Sequence, residues 1–333
     1  MPEPNKEAVA EGRRHTAQPG ACTWLTSTMR ARRSLQRRWS PGSYAIAVGF
    51  FPLIALLAVA ARAEPFDRGV LWRLERLGAA PSYVFGTLHS ADPRVTTLVP
   101  AVARAFAACR TFAMENYLSD ADELHFFEAT QFEDGRRLQE LLGADTYARL
   151  KRLLGEDGPT DDVLERTKPW AALLRLSAPR SAGEGPTLDR ELLAAARMRH
   201  MSIVGLELPD EQVSALDGIP LDTQLALLRH AIEHQAVLEK EVEQTIQAWL
   251  ARDLAALARI SVASVGGDPA LERHQALLTR HIVDDRSVVM VHRLFLPLRS
   301  GGVFVAVGAL HLHGANGMLA QLQRQGYKLH RVY

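Results

Sequence analysis

Cysteine is almost missing from this sequence. Cys22 and Cys109 are the whole supply, too few for a CxxC pair or a thiolate-rich zinc site. Any bound metal would therefore rest on histidine and carboxylate ligands. Removal of an N-terminal leader would leave Cys109 alone and exclude an internal disulfide. A dominant charge is missing too. The 39 Lys and Arg stand against 38 Asp and Glu, for a formal net charge of +1. No global field favours nucleic acid, and no nucleic-acid partner is expected. Low-complexity linkers are missing from Glu64 onward. Function is to be sought in local sites.

Apolar residues are plentiful, at 47% of 333. That is enough to bury a full core in one large domain or two small ones. The longest apolar run lies near the start. "RARRSLQRRWSPGSY", from Arg30, is a basic stretch without acids. It precedes "AIAVGFFPLIALLAVA", Ala45 to Ala60, and then "ARA" at Ala61 to Ala63. Charge, apolar stretch and small-x-small site have the layout of a secretory signal, with Pro52 interrupting any membrane-spanning helix. Residues 1–63 thus form a leader plus signal peptide, with Met29 the expected true start. An uncleaved anchor is the alternative. Either way, 64–333 is expected outside the cytoplasm, periplasmic or secreted, with no further membrane contact.

The rest alternates short apolar runs with helical periodicity. "VLWRLER" (Val70 to Arg76) predicts a half-exposed first strand, and "SYVFG" predicts a second. "LVPAVARAFAAC" predicts a helix, and "TFAMEN" a third strand. "LDRELLAAARMRH" predicts a helix that feeds the strand "SIVGLE". "PLRSGGVFVAVGALH" reads as a turn and a buried strand, "NGMLAQLQRQG" as a helix and "YKLHRVY" as a last strand. This pattern predicts an α/β domain around a central mixed sheet. Helix-rich segments at about 122–178 and 222–260 are expected to form a cap or insertion.

Four predicted strands end in a side chain able to bind metal or move a proton. "SYVFGTLH" ends in His89, "TFAME" in Glu115, "SIVGLE" in Glu207 and "VFVAVGALH" in His311. In open α/β sheets, ligands sit beyond the carboxyl ends of strands, so these four would converge. Each has a plainer reading, as a cap, a strand end or, for "GLELPDEQ", acids at a helix N-terminus. The repetition of Gly-x-x-His favours the functional reading. It suggests a duplicated strand–loop–helix unit whose histidines face one another across a pseudo-twofold axis. Trp249 and Asp253 read as a core tryptophan and an acid at a helix start, and Glu239 to Gln244 as a solvated helix face.

The order of motifs resembles the TraB/PrgY/GumN family, which includes the animal Tiki proteases. The carriers are Leu71-Trp72, Gly86-Thr87-x-His89, Glu115, Lys168-Pro169-Trp170 and Leu188-Asp189. Gly205 to Glu207 with Gln212, Arg286 and the stretch Val307 to Tyr327 follow. Two departures stand out: the family's Arg-Asn is Arg286-Ser287 here, and "HLHG" adds His313, read as an exposed loop histidine with a bonus ligand as the alternative. The resemblance implies a metal-dependent, peptidase-like hydrolase. His89, His311 and Glu115 would hold a divalent ion, with Mn, Co and Zn all compatible. Glu115 or Glu207 would act as general base, and Arg286 would stabilise an anionic intermediate. The alternatives are a protein that sequesters a peptide or pheromone without turnover, or a metal-free esterase with a histidine base. The substrate, a peptide or a small molecule, is unspecified.

Overall fold

Six short runs, the central ones rich in β-branched and aromatic residues, form one sheet. The strands are β1 (Leu71–Glu75), β2 (Ser82–Thr87), β3 (Thr111–Asn116), β4 (Ser202–Glu207), β5 (Val303–Gly308) and β6 (Lys328–Arg331). The computed structural model describes residues 66–333 apart from 118, 157 and 178–184, so the leader and signal sequence lie outside the described residues. Sheet order is β4-β3-β5-β2-β1-β6. The first four of these are mutually parallel, while β1 runs antiparallel to both β2 and β6. The fold is thus mixed α/β, as the alternation predicts.

β5 is the spine. Its residues Val303 to Val307 are all buried, as a strand covered on both faces requires. Phe304 meets Phe106 edge-on at 5.1 Å and also touches Phe112 and Phe85. Truncating so central a ring to alanine would cost about 3–5 kcal/mol. β1 departs from the alternation read in its sequence. Leu71, Trp72 and Leu74 are all buried, because β6 covers its outer edge and Phe66 packs edge-on against Trp72 at 5.1 Å.

The expected turn at "PLRS" is instead helix. The helix Asp285–Ser300 runs through Pro297. Its stop comes at Gly301, with φ +67, where a Cβ would collide with the backbone of Ala80.

Among the described residues the helices serve more than one core. Leu138, Leu150, Leu164, Ala172, Leu228 and Ile232 form a helical cluster apart from the sheet. The segment at 222–260 divides between the two. Its first helix, Leu221–Glu233, joins that cluster. Ile246, Trp249, Leu254 and Leu257 instead pack on the sheet core. Trp249 is the buried tryptophan expected, and its indole N–H donates to Gly86 O at 2.9 Å. Asp253 caps the helix Leu254–Ala263. Among the described residues, no helix is long and apolar enough to cross a membrane.

Candidate functional site

Parallel pairing brings the four predicted side chains to the carboxyl end of the sheet. Thr87 of β2 stands opposite Gly308 of β5, so both Gly-x-x-His segments leave the sheet side by side. β3 pairs with β5 on its other flank and delivers Glu115. β4 pairs with β3, and its Glu207 stands opposite Asn116.

The two histidine segments diverge after their strands. His311 sits in a 3-10 turn, Ala309–Leu312, with its side chain only 6% exposed, whereas His89 lies in a loop with its side chain 62% exposed. They meet as parallel neighbours in unlike surroundings. Gly86 lets the 3-10 turn pack down, since a Cβ there would lie 2.8 Å from Leu312 Cδ1 and 3.0 Å from Ala309 Cα.

Glu115 is the hub. Its Oε1 lies 3.7 Å from His311 Nε2 and 3.9 Å from His89 Nε2, and it accepts the Gly308 N–H at 2.5 Å. Its Oε2 accepts from Arg286 Nη2 at 2.8 Å. Burial alone would raise this carboxyl, but His311, Arg286, His89 and the Gly308 N–H together hold it down to about 2.

Each histidine is oriented through its other nitrogen. His89 Nδ1 lies 2.8 Å from Asp189 Oδ2, and Thr87 Oγ1 donates to Asp189 Oδ1 at 2.6 Å. The Asp189 hydrogen bond outweighs desolvation and, with the charges of Asp189 and Glu115, raises His89 to about 9. Burial lowers His311 instead. Its Nδ1 lies 2.9 Å from Ser287 Oγ, and that hydroxyl donates to Val283 O at 2.6 Å. The hydroxyl's single proton is committed, so Nδ1–H of His311 is the donor to Ser287. The Nε2 lone pair of neutral His311 then faces Glu115.

Arg286 and Glu207 form the rear of the site. Arg286 donates from Nε and Nη2 to Glu207, closest at 2.6 Å, and from Nη1 to Ile282 O at 3.2 Å. The Glu207 side chain is 1% exposed. Burial raises its carboxyl against the pull of Arg286. Both readings of "GLELPDEQ" hold at once: Glu207 ends β4, and the helix Pro209–Asp217 starts two residues later. There Glu211 pairs with Arg293.

Among the described residues, no three His, Cys, Asp or Glu side chains already enclose a metal position. The donor chemistry nonetheless suits a divalent ion. Three carboxylates (Glu115, Glu207, Asp189) and one guanidinium leave a net charge of −2 when both histidines are neutral. Gly308 keeps space free among the donors. A Cβ there would stand 3.2 Å from Glu115 Oε1, 3.6 Å from His311 Cδ2 and 3.7 Å from His89 Nε2.

A sequence profile of the TraB/PrgY/gumN family matches residues 70–331. This chain belongs to that family. Among relatives in the family, Metalloprotease TIKI1 of Homo sapiens is 26% identical over 310 residues, covering 78% of this chain and 61% of that protein. The alignment thus spans less than two thirds of TIKI1. Uncharacterized protein YbaP of Shigella flexneri is 22% identical over 258 residues, covering 74% of this chain and 89% of YbaP. YbaP of Escherichia coli (strain K12) is 24% identical over 198 residues, covering 56% and 68% respectively. No solved structure matches.

The family motifs fall around the site with two additions. Asp189 carries the "LD" motif, yet nothing in the sequence signalled its contact with His89. Ser287, the departure from the family's Arg-Asn, is the partner of His311. His313 differs from the exposed loop residue expected. It is half-buried and lies 3.2 Å from Asp67 Oδ1. Trp170 of the "KPW" motif donates from Nε1 to Asp217 at 2.7 Å and is buried in a small cluster with Leu216 and Ile219.

Proposed function

We propose that this chain is a divalent-metal-dependent hydrolase of peptide bonds, exported from the cytoplasm by its basic and apolar N-terminal segment. The observation that carries the reading is the approach of Glu115 Oε1 to within 3.7 Å of His311 Nε2 and 3.9 Å of His89 Nε2. Two imidazole nitrogens and one carboxylate oxygen form a donor set compatible with Mn, Co or Zn. The similarity to TIKI1, a metalloprotease, supports the same reaction class. His89, His311 and Glu115 would hold the ion. Once bound, it would supply Lewis acidity and lower the pKa of water at the site.

The remaining residues hold this set. Asp189 fixes the His89 ring through Nδ1, and Ser287 fixes that of His311, which leaves both Nε2 atoms facing Glu115. Arg286 orients Glu115 and balances its charge. Glu207, enclosed behind Arg286, anchors the guanidinium in turn. Arg286 has one Nη1 proton beyond its Ile282 bond, which keeps a role toward an anionic intermediate open to it.

Metal-free acid–base hydrolysis is a second reading, favoured by a specific observation. The surroundings push the two histidines apart, His89 up to about 9 and His311 down. One ring is thus an acid and the other a base at neutral pH.

Calorimetry separates the readings. The full chain should bind Mn²⁺, Co²⁺ or Zn²⁺, and His89→Ala and His311→Ala should each abolish that binding. Peptide hydrolysis should stop in chelator and return with metal. Binding undiminished in both variants would sink the metal site. Hydrolysis that persists in chelator would select the metal-free reading.

A further inference from the structure

A cavity of about 440 Å³ opens beside His89, well within the size range of small-ligand and peptide side-chain sites. Leu88, His89 and Ser90 form its wall on the sheet side. Opposite them stand aliphatic residues of the surrounding helices, among them Leu216, Ile219, Val242, Ile246, Leu278 and Ile282. The exposed ring of His89 therefore joins the polar site to an apolar chamber.

One carboxylate stands in this mostly aliphatic wall. The helix Gln235–Leu250 turns Leu238, Val242 and Ile246 toward the chamber at spacings of four, and Glu241 lies on the same face. Sequence reading assigns Glu241 to a solvated run, but the helix carries it inward. Among the described residues that line the chamber it is the single acid, and no Lys or Arg lines it. Several neutral polar groups of the wall have partners: His230 Nε2 lies 2.9 Å from Ser264 O, Gln275 donates to Ser261 O and Ser261 donates to Ala258 O. Among the described residues no hydrogen bond or ion pair engages Glu241, and burial raises its carboxyl. Glu241 is half-buried, and a ligand that covers it without offering a cation would leave its carboxylate desolvated and unpaired.

Resting on the hydrolase reading above, we propose that this chamber selects peptides whose apolar side chains flank a single cationic group, with Glu241 as the residue that reads the cation. A ligand with the apolar body alone would leave Glu241 desolvated and unpaired. The cation thus discriminates between ligands of equal shape.

The test uses the full chain with doubly capped Leu-Val-Lys-Leu-Val, N-methylated along the backbone to resist hydrolysis, and its norleucine counterpart. The wild-type chain should bind the lysine peptide about tenfold more tightly. Glu241→Gln should erase that preference by weakening the lysine peptide alone. Glu241→Lys should transfer the preference to a peptide with Glu at the central position. Equal binding of both peptides by wild type would overturn the inference, as would a preference that survives Glu241→Gln or no binding of either peptide. Unmethylated peptides then separate this inference from the hydrolase reading. Cleavage without lysine preference sinks the inference alone. Lysine preference without cleavage in any metal supports the inference and sinks the hydrolase.

Discussion

Ser287 Oγ lies 2.9 Å from His311 Nδ1 and accepts its proton, because the hydroxyl's own proton goes to Val283 O. This one contact selects the tautomer whose Nε2 lone pair looks toward Glu115. A partner that fixes the tautomer of a ligand is commonly worth tenfold to a hundredfold in metal affinity.

Ser287→Ala should therefore weaken metal binding about tenfold with little change in the fold. Ser287→Asn, whose amide oxygen can accept the same proton, should restore much of the affinity. Calorimetric titration of the two variants checks this. Equal affinities in both would separate Ser287 from the site.

Asp189 makes a comparable prediction at the other ring. Its hydrogen bond is the largest influence that raises His89 to about 9. In the metal-free chain, Asp189→Asn should return His89 toward the ordinary 6.5. A titration of the His89 ring by NMR measures the change directly. A ring that still titrates near its wild-type value would remove Asp189 from that role.

Stability should fall on both sides of neutrality in the metal-free chain. Glu115 is held down to about 2 from 4.5, so its contribution is present above pH 4.5 and is lost as pH falls toward 2. His311, Arg286, His89 and the Gly308 N–H together hold that carboxyl down. His89 is raised from 6.5 to about 9, so its contribution is present below pH 6.5 and is lost as pH rises through 9. Thermal melts across pH should lose the acid limb in Glu115→Gln and the alkaline limb in Asp189→Asn. Limbs unchanged by these substitutions would assign the transitions to other groups.

The two motif glycines should fail differently. Gly308→Ala would put a methyl 3.2 Å from Glu115 Oε1 and into the space between the histidines. Gly308 has φ −52 and ψ 135, a backbone that alanine adopts freely. It should fold and lose metal binding. Gly86→Ala would press on Leu312 and Ala309 and should cost about 1–3 kcal/mol of stability. Denaturant melts combined with metal titration distinguish the two outcomes.

The sequence by itself determined the elements and the ends of the strands. Apolar runs bounded by turns marked β2 to β5, most plainly β5, because a strand covered on both faces must be apolar throughout. The glycine and histidine spacing fixed which side chains leave those strands, and the order of motifs fixed the family. Pairing lies beyond a linear pattern. That β5 stands between β3 and β2, and so brings Glu115, His89 and His311 together, follows from contacts across some two hundred residues of chain.

Tertiary structure also decided the surroundings, which set the chemistry. Burial lowered His311 and the hydrogen bond to Asp189 raised His89, although both carry the same motif. It enclosed Glu207 behind Arg286, supplied Asp189 and Ser287 as partners, and turned Glu241 from an expected solvated face into an apolar chamber. Side-chain identity is local, whereas dielectric, hydrogen-bond partners and charge depend on which distant segments fold against it.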